Sequence, residues 1–140
     1  MGRRSDHTPE QLRTLLVSKG HALMAEVGYA KFSGREAAKR AGYSVGTIYN
    51  VFGSLEGLLA AINTHTFGLW AEHLRGSLAR ADEDRIGALV RGYFSFALEN
   101  PNIWSAIYEH KLPEGSGLSE ADLEGRAELT MIVEQEVADA

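Results

Sequence analysis

One run of seven residues in the first third of the chain has the residue types that contact nucleic acid: Ser44-Val45-Gly46-Thr47-Ile48-Tyr49-Asn50. Small residues at the start of a helix let its backbone approach the floor of a DNA major groove, and the free N–H groups there attract phosphate. Tyr49 and Asn50 follow on the next turn and carry groups that hydrogen-bond to phosphate or to base edges. The pattern predicts a helix that reads double-stranded DNA.

Two short helices and a tight turn are needed to position this run. Ser33 is predicted to cap the first, with Glu36 completing a capping box, and that helix should end at Ala41. Gly42 permits the sharp turn, and Ser44 should cap the second helix. Two helices joined in this way form a helix-turn-helix.

The remaining apolar residues are spaced for helices, and nothing predicts a sheet. A first helix should begin after Thr8 with a capping box formed with Gln11 and end at Gly28 in a left-handed conformation, with Phe32 as a core plug. Four more helices are expected, from Ser54 to about residue 81, from Asp82 to about 99, from Asn100 to about 110, and from Ser119 to the end. The predicted fold is all-α, with a three-helix head (residues 1–55) and a helical body (residues 56–140).

Charge is distributed unevenly between the head and the body. The net charge is −5, but the head holds eight Lys and Arg against four acids, a net of +4, whereas the body has a net of −9. A basic head on an acidic body attracts phosphates with one face only. The chain has no cysteine, which excludes disulfides and thiolate zinc sites and fits a reducing cytoplasm. No apolar run is long enough to span a bilayer, and the polar N-terminus is not a signal peptide.

Three stretches together resemble the signature of the TetR/AcrR family of transcriptional regulators: residues 28–38, 41–49 and 52–59. The resemblance implies that Thr47, Tyr49 and Asn50 contact phosphate and the groove. It also implies that Ser44, Val45 and Gly46 lie against the DNA. Arg35 would reach toward the duplex, and Ser33 would hold the start of its helix near a phosphate.

Two positions depart from the family pattern. Leu55 stands where the family usually has Lys, and Val51 where it often has His or Tyr. Because both usual residues lie near phosphate, their loss should lower the electrostatic share of DNA affinity. Arg3, Arg4 and Arg13 of an N-terminal arm are candidates to compensate, and the alternative is that the arm is a solvated tail.

The resemblance further implies that the body forms an effector pocket and a dimer surface. A mostly apolar pocket with a few polar groups suits a small molecule. The candidate ligand-binding residues are Trp70, His73, Tyr93, Phe94, Trp104 and Tyr108. The alternative for each aromatic residue is a place in the core. No metal site is predicted, since His65 and His73 lie two helical turns apart.

The sequence therefore predicts a cytoplasmic DNA-binding repressor that binds a near-palindromic operator as a homodimer and is released by a small apolar effector. No cofactor and no membrane partner are expected. An enzyme using Glu72, His73, Glu109 and His110 is disfavoured, since there is no nucleophile motif and no cofactor loop.

A second alternative is a truncated DNA-binding or interaction module without a pocket. The resemblance implies one more long helix, whereas residues 134–140 end within a helical pattern. Either a tail is omitted from the sequence, or the chain dimerises through less surface than its relatives.

Overall fold

The computed structural model describes residues 7–111 and 118–140. These residues form seven α-helices and no β-strand, which confirms the predicted all-α class. The helices are α1 (Pro9–Val27), α2 (Gly34–Arg40), α3 (Val45–Phe52), α4 (Leu55–Ala79), α5 (Arg85–Glu99), α6 (Pro101–Glu109) and α7 (Glu120–Asp139). Arg3 and Arg4 of the predicted arm lie outside the described residues.

Side-chain caps start most of the helices at the predicted positions. Thr8 and Gln11 form both bonds of the predicted capping box, with N···O distances of 3.1 and 3.0 Å. Ser54 and Ser119 each accept a hydrogen bond from the backbone N–H three residues later. Each cap satisfies a backbone donor that the helix itself leaves unpaired.

Three details of the helix ends differ from prediction. α5 begins after Asp84 instead of Asp82, because the Asp84 carboxylate accepts the N–H of Gly87 at 2.9 Å. Gly28 has a positive φ of 80° but a ψ of 174°, so the chain leaves α1 in an extended direction instead of the left-handed helical one. Ser33 caps α2, but the Glu36 carboxylate turns to Arg40, so the second capping box is only half formed.

The head is a small bundle in which α1 packs against α2 and α3. Its buried residues include Leu16, Ala38 and Ile48, and Phe32 is half-buried against them. Gly42 has a φ of 87°, which favours glycine, and this turn lets the Tyr43 N–H donate to the Ala38 carbonyl at 2.9 Å. The α2–α3 pair is therefore the predicted helix-turn-helix.

The longest helix, α4, runs from the head into the body. It packs against α1 and α3 near its start and against α5, α6 and α7 further on. It bends away from α3 by 75°, and Gly57 permits this bend, because a Cβ there would lie 2.5 Å from the Phe52 carbonyl oxygen. Its buried side includes Leu58, Ile62 and Trp70.

Arg126 of α7 binds to α4 through its side chain. Its guanidinium donates to the Ala60 carbonyl at 3.0 Å and to the Thr64 hydroxyl at 3.1 Å, and it lies over the Phe67 ring. Arg75 and Glu128 form a further ion pair between the two helices. Among the helices described, none is by itself long and apolar enough to cross a membrane, and only α3 and α4 taken together, across their bend, reach that length and composition.

Candidate nucleic-acid interface

The helix α3 presents the predicted DNA-contacting side chains to the surface. Gly46, Tyr49 and Asn50 are exposed, and Tyr49 keeps 53% of its surface accessible. On the opposite side Ile48 is fully buried and Phe52 is half-buried against the core. The helix is therefore held by one face and leaves the other face available to a partner.

The hydroxyl of Ser44 is not used to cap α3. Ser44 occupies the N-cap position, yet its side chain forms no capping hydrogen bond, unlike those of Ser33, Ser54 and Ser119. Ser44 is exposed, so its hydroxyl lies at the surface beside the first N–H groups of α3, at the positive end of the helix dipole. A phosphate oxygen is the natural acceptor for such a group of donors.

The head cations are not equally available to DNA. Arg40 forms a two-pronged ion pair with Glu26 at 2.7 and 3.0 Å and a further contact with Glu36 at 3.2 Å. The hydrogen bond from Arg40 lowers the pKa of Glu26, and its partners raise the pKa of Arg40. Arg35 is exposed and takes part in no ion pair among the described residues, so it carries a free positive charge near the start of α2.

Two of the predicted contact residues also help to hold the head together. Val45 is half-buried and packs against the core, so its role is not confined to the DNA-facing surface. Arg13 belongs to α1 and lies 4.7 Å from the centroid of the Phe52 ring, where it covers the end of α3 instead of extending from an arm.

Leu55, which stands where the similar family usually has Lys, packs beside the start of α2. A Cβ on Gly34 would lie 2.8 Å from the Leu55 Cδ1 atom, so the leucine fills the space beside the start of α2. From the sequence alone, Leu55 is interpreted only as the loss of a cation. The glycine at the first position of α2 was the available signal that another side chain approaches closely there.

In the body, Trp70 behaves as a core residue. It is 1% exposed, stacks on Phe96 at 5.7 Å between ring centroids, and contacts Tyr93 at 4.6 Å. Its indole N–H donates to the Tyr93 carbonyl at 3.2 Å. Phe94, by contrast, is 61% exposed on the other side of α5.

Trp104 lies in a different setting. Its ring centroid is 4.9 Å from that of Tyr108, and its buried indole nitrogen has no hydrogen-bond acceptor among the described residues. The same is true of the amide oxygen of Asn63, whose nitrogen donates to the Ala106 carbonyl on α6. With the His110 Nε2 atom at the C-cap of α6, three buried polar atoms at or beside α6 have no hydrogen-bond partner among the described residues.

His73 is separate from that aromatic pair. It shares a 2.7 Å hydrogen bond with the Ser95 hydroxyl and lines a polar groove of about 450 Å³ between α4 and α5. The six candidate ligand residues therefore lie in four separate settings. Trp70 and Tyr93 contact each other around the buried indole, and His73 lines a polar groove. Phe94 is exposed, and Trp104 pairs with Tyr108.

The four residues of the enzyme alternative do not form one site. Glu72 pairs with Arg75, whereas His110 contacts Tyr29 at the end of α1. Burial lowers the pKa of His110, and the charge of Glu56 at the start of α4 opposes that shift. Since Glu56 and His73 are separated along α4 by roughly 25 Å at 1.5 Å per residue, the two histidines are remote. Within the described ranges, no three His, Asp or Glu side chains converge as metal ligands.

Contacts between head and body were not anticipated from the sequence. The Asn102 side chain of α6 donates to the Ala25 carbonyl of α1 at 2.8 Å. His21 of α1 and His65 of α4 meet edge to face at 4.8 Å, and burial together with His65 lowers the pKa of His21 to about 4. Residues separated by more than forty positions carry no local pattern that would reveal such contacts.

Comparisons with known proteins agree with this arrangement. Residues 16–62 match the family described as bacterial regulatory proteins, tetR family. No curated protein matches the chain. A solved protein of unknown function from Rhodococcus sp. RHA1 is similar, with a TM-score of 0.74 and 22% identity over 99% of this chain and 71% of its own.

A second similar structure is that of the candidate regulatory protein SCO4313, with a TM-score of 0.60 and 24% identity. The match covers 86% of this chain and 58% of that one. These two likenesses concern the fold, while the family match runs from the middle of α1 through α2 and α3 to the first turns of α4. Residues 16–62 are thus similar to the tetR family of bacterial regulatory proteins, and this stretch contains the helix-turn-helix formed by α2 and α3.

Proposed function

We propose that the chain is a repressor that binds a near-palindromic operator as a homodimer and leaves it when a small, mostly apolar ligand binds the body. The observation that carries the DNA half of the proposal is the outward face of α3, where Gly46, Tyr49 and Asn50 are exposed beside an uncapped helix start. The proposed site of action is the bacterial cytoplasm, where the DNA lies.

Each contact residue has a role that follows from its chemistry. Ser33, Ser44 and Tyr49 offer hydroxyls to phosphate, and such contacts fix the position of the protein on the duplex. Thr47 and Asn50 are suited to base edges, and Val45 and Gly46 bring the helix backbone close to the groove. Arg35 adds a free charge from the preceding helix.

Selection of bound sequences from random duplex DNA tests this half of the proposal. A two-fold dimer should enrich an inverted repeat whose half-sites lie about 34–36 Å apart, or a multiple of that distance. A matched control is the double variant Thr47→Ala with Asn50→Ala, which should melt like the wild type and enrich nothing. Absence of any inverted repeat with folded wild-type protein would refute operator binding.

The ligand half of the proposal rests on α6. Trp104 and Tyr108 lie on α6, and the buried Trp104 N–H lacks an acceptor. A ligand with an acceptor group on an otherwise apolar frame would satisfy it. Because Asn102 of the same helix is bonded to the Ala25 carbonyl, a shift of α6 would move α1 and with it the head. Such coupling is typically about 1–3 kcal/mol and must be reciprocal.

Intrinsic fluorescence provides the test, since Trp70 and Trp104 are the only tryptophans. In the variant Trp70→Phe, apolar compounds that bind should quench the remaining tryptophan saturably. The same compounds should raise the Kd for the selected operator by roughly 5- to 150-fold. Asn102→Ala should keep the quenching but reduce the effect on operator affinity. Saturable binders that leave operator affinity unchanged would end the claim of regulation.

A second candidate is a DNA-binding module without an effector pocket. The observation in its favour is that Trp70 is 1% exposed and packs against the rings of Phe96 and Tyr93. This candidate predicts operator binding in the selection experiment and no saturable quencher of either tryptophan.

A further inference from the structure

A polar groove of about 450 Å³ lies along the hairpin formed by α4 and α5. Toward one end of it, His73 and Ser95 are hydrogen-bonded to each other at 2.7 Å. In its middle the two helices approach closely, because a Cβ on Gly92 would lie 2.5 Å from the Ser77 Oγ atom. We call this site the hairpin groove, and the side chains that matter for its chemistry are those of His73, Ser77, Arg80, Arg91 and Ser95.

Both walls of the hairpin groove follow the helical period. His73, Ser77 and Arg80 are spaced by four and then three residues, so they lie on one side of α4. Arg91 and Ser95 are four residues apart and lie on one side of α5. Because a short connection joins the helices, they run antiparallel. Both arginines therefore lie between the His73–Ser95 hydrogen bond and the connection.

Arg80 and Arg91 are the two arginines of the body that no hydrogen bond holds among the residues that the structure describes. The other three form hydrogen bonds between α7 and another helix: Arg75, Arg85 and Arg126. Arg91 approaches the Asp84 carboxylate only to 3.6 Å, which is too long for a hydrogen bond, and its side chain is 71% exposed. Arg80 is exposed as well. Each guanidinium can therefore turn toward a ligand without breaking a hydrogen bond within the described protein.

The acidic residues of the groove lie at its two ends. Asp82 is in the connection between the helices, and Glu99 is the last residue of α5, one turn beyond Ser95. Asp84 uses one carboxylate oxygen to accept the N–H of Gly87 at the start of α5. The body as a whole holds six Lys and Arg against fifteen Asp and Glu. The middle of the groove is thus a cationic surface on an otherwise acidic part of the chain.

We propose that the hairpin groove binds a small anion whose carboxylate or phosphate oxygens are held by Arg80 and Arg91. A planar guanidinium presents paired N–H donors that match two oxygens of such a group, and the charge strengthens each hydrogen bond. The Ser77 hydroxyl supplies a further donor, and the volume of the groove suits a small molecule. Trp104 and Tyr108 lie outside the lining of this groove, so the anion is a second ligand, separate from the apolar one proposed above.

Nuclear magnetic resonance of the isotope-labelled 140-residue protein tests the proposal at neutral pH and constant ionic strength. Inorganic phosphate and citrate are added separately, each to about 20 mM, because an open pair of exposed cations should bind with a Kd on the order of millimolar. The backbone amide signals of Ser77, Gly92 and Ser95 should shift saturably. Tighter binding of phosphate would indicate a phosphorylated ligand, and tighter binding of citrate an organic acid. The proposal is overturned if neither anion saturates these signals, or if the shifts are confined to the start of α3.

Arg80→Gln and Arg91→Gln test the two cations directly. Each should raise the Kd of the tighter anion at least about tenfold, as expected for the loss of a hydrogen bond between charged groups. Lys19→Gln is the matched control, because Lys19 is exposed on α1 and its replacement removes the same charge outside the groove. Thermal melts establish that all three variants are folded. Binding as in the wild type by either arginine variant, or equal weakening in Lys19→Gln, would contradict the assignment.

Operator selection with Arg91→Gln keeps this inference separate from the proposed function. The variant should select the same operator as the wild type, because the groove lies in the body and the reading helix α3 lies in the head. A wild type that binds the anion in the groove but selects no operator would refute the proposed function and leave the anion site standing. Loss of operator selection together with anion binding in Arg91→Gln would instead show that this arginine contacts DNA, and would overturn the anion site.

Discussion

Tyr49 is the residue whose substitution best distinguishes a phosphate contact, which positions the protein, from a base contact, which reads the sequence. Its hydroxyl is exposed and stands on the outward side of α3. Because a phosphate contact carries no base information, Tyr49→Phe should weaken binding to every duplex alike, by about 0.5–1.5 kcal/mol per lost hydrogen bond. Titration of the selected operator and of an unrelated duplex measures both losses.

Thr47 should behave in the opposite way. Loss of a base contact in Thr47→Ala should change preference at particular base pairs by about 1–3 kcal/mol. Repeating the selection with this variant reveals which positions relax. If Tyr49→Phe altered sequence preference and Thr47→Ala did not, the two roles would be exchanged.

His21 makes the fold sensitive to acid. Its pKa is lowered to about 4 from 6.5, chiefly by burial and then by His65. Above pH 6.5 both folded and unfolded chains keep it neutral, so it has no effect there. As the pH falls from 6.5 toward 4, the unfolded chain binds the proton first, and stability is lost until both states are protonated.

Because His21 is partly exposed, solvent weakens the effect of its lowered pKa on stability. We expect protonation of His21 to reduce the free energy of unfolding by about 1–2 kcal/mol between pH 7 and pH 4.5. Urea unfolding of the wild type and of His21→Gln at both values measures the difference. His7→Gln, at an exposed position, is the control. An equal acid loss in the wild type and in His21→Gln would show that another group is responsible.

At the scale of elements, replacing a glycine by alanine should have opposite effects on stability at Gly57 and at Gly46. Gly57→Ala should cost about 1–3 kcal/mol, because its Cβ would meet the Phe52 carbonyl where α4 turns away from α3. Gly46→Ala adds a methyl near no backbone, since the Ser44 Oγ atom at 3.8 Å is the nearest contact. It should raise stability by up to about 1 kcal/mol.

The two variants should also differ in DNA binding. The methyl of Gly46→Ala would lie on the outward side of α3 and should reduce operator affinity despite the gain in stability. Melting temperatures and operator titrations together test the pair. A Gly57→Ala variant as stable as the wild type would mean that the α3–α4 bend does not depend on that glycine.

Local sequence signals were sufficient for most helix starts and for the helix-turn-helix. Thr8, Ser33, Ser54 and Ser119 cap where predicted, because a cap needs only a side chain and an N–H three residues away. Prediction failed at the Glu36 box, where a cation from the next turn competes for the carboxylate. Competition of this kind depends on three-dimensional neighbours.

The sequence predicts the exposed face of α3 but not the surroundings of the aromatic residues in the body. Exposure of Gly46, Tyr49 and Asn50 follows from the helical period once Ile48 is taken as buried. The aromatic residues of the body could not be sorted into core and surface, since Trp70 and Trp104 have the same residue type and differ only in tertiary surroundings. The hydrogen bond between Asn102 and Ala25 joins residues seventy-seven positions apart, and no local sequence pattern predicts it.

At the scale of the whole molecule, the basic head should give a shallow salt dependence. Arg40 is held by Glu26 and Glu36, and Leu55 stands where the similar family usually has Lys, so Arg35 is the principal free charge among the proposed contact residues. Each neutralised phosphate contributes a slope of about −0.9 in a plot of log K against log salt. Arg35→Gln should therefore flatten the slope by about two for a dimer.

Arg80→Gln is the control for this measurement, because Arg80 is an exposed body residue at the end of α4. It should leave the salt slope unchanged. Equal flattening by the two variants would show that the body also contacts phosphate and that the head does not act alone as the basic surface.

The unbroken course of α4 also governs which insertions and deletions the chain tolerates. The family match ends at residue 62, within a helix that continues to Ala79. One residue added at that point would rotate everything downstream by about 100° and advance it by about 1.5 Å. Trp70 and Leu74 would then leave their packing partners. The same addition in the turn at residues 81–83 would change only a connection between helices. Exchange of heads between related regulators would therefore have to preserve helical phase, whatever the fusion point chosen within α4.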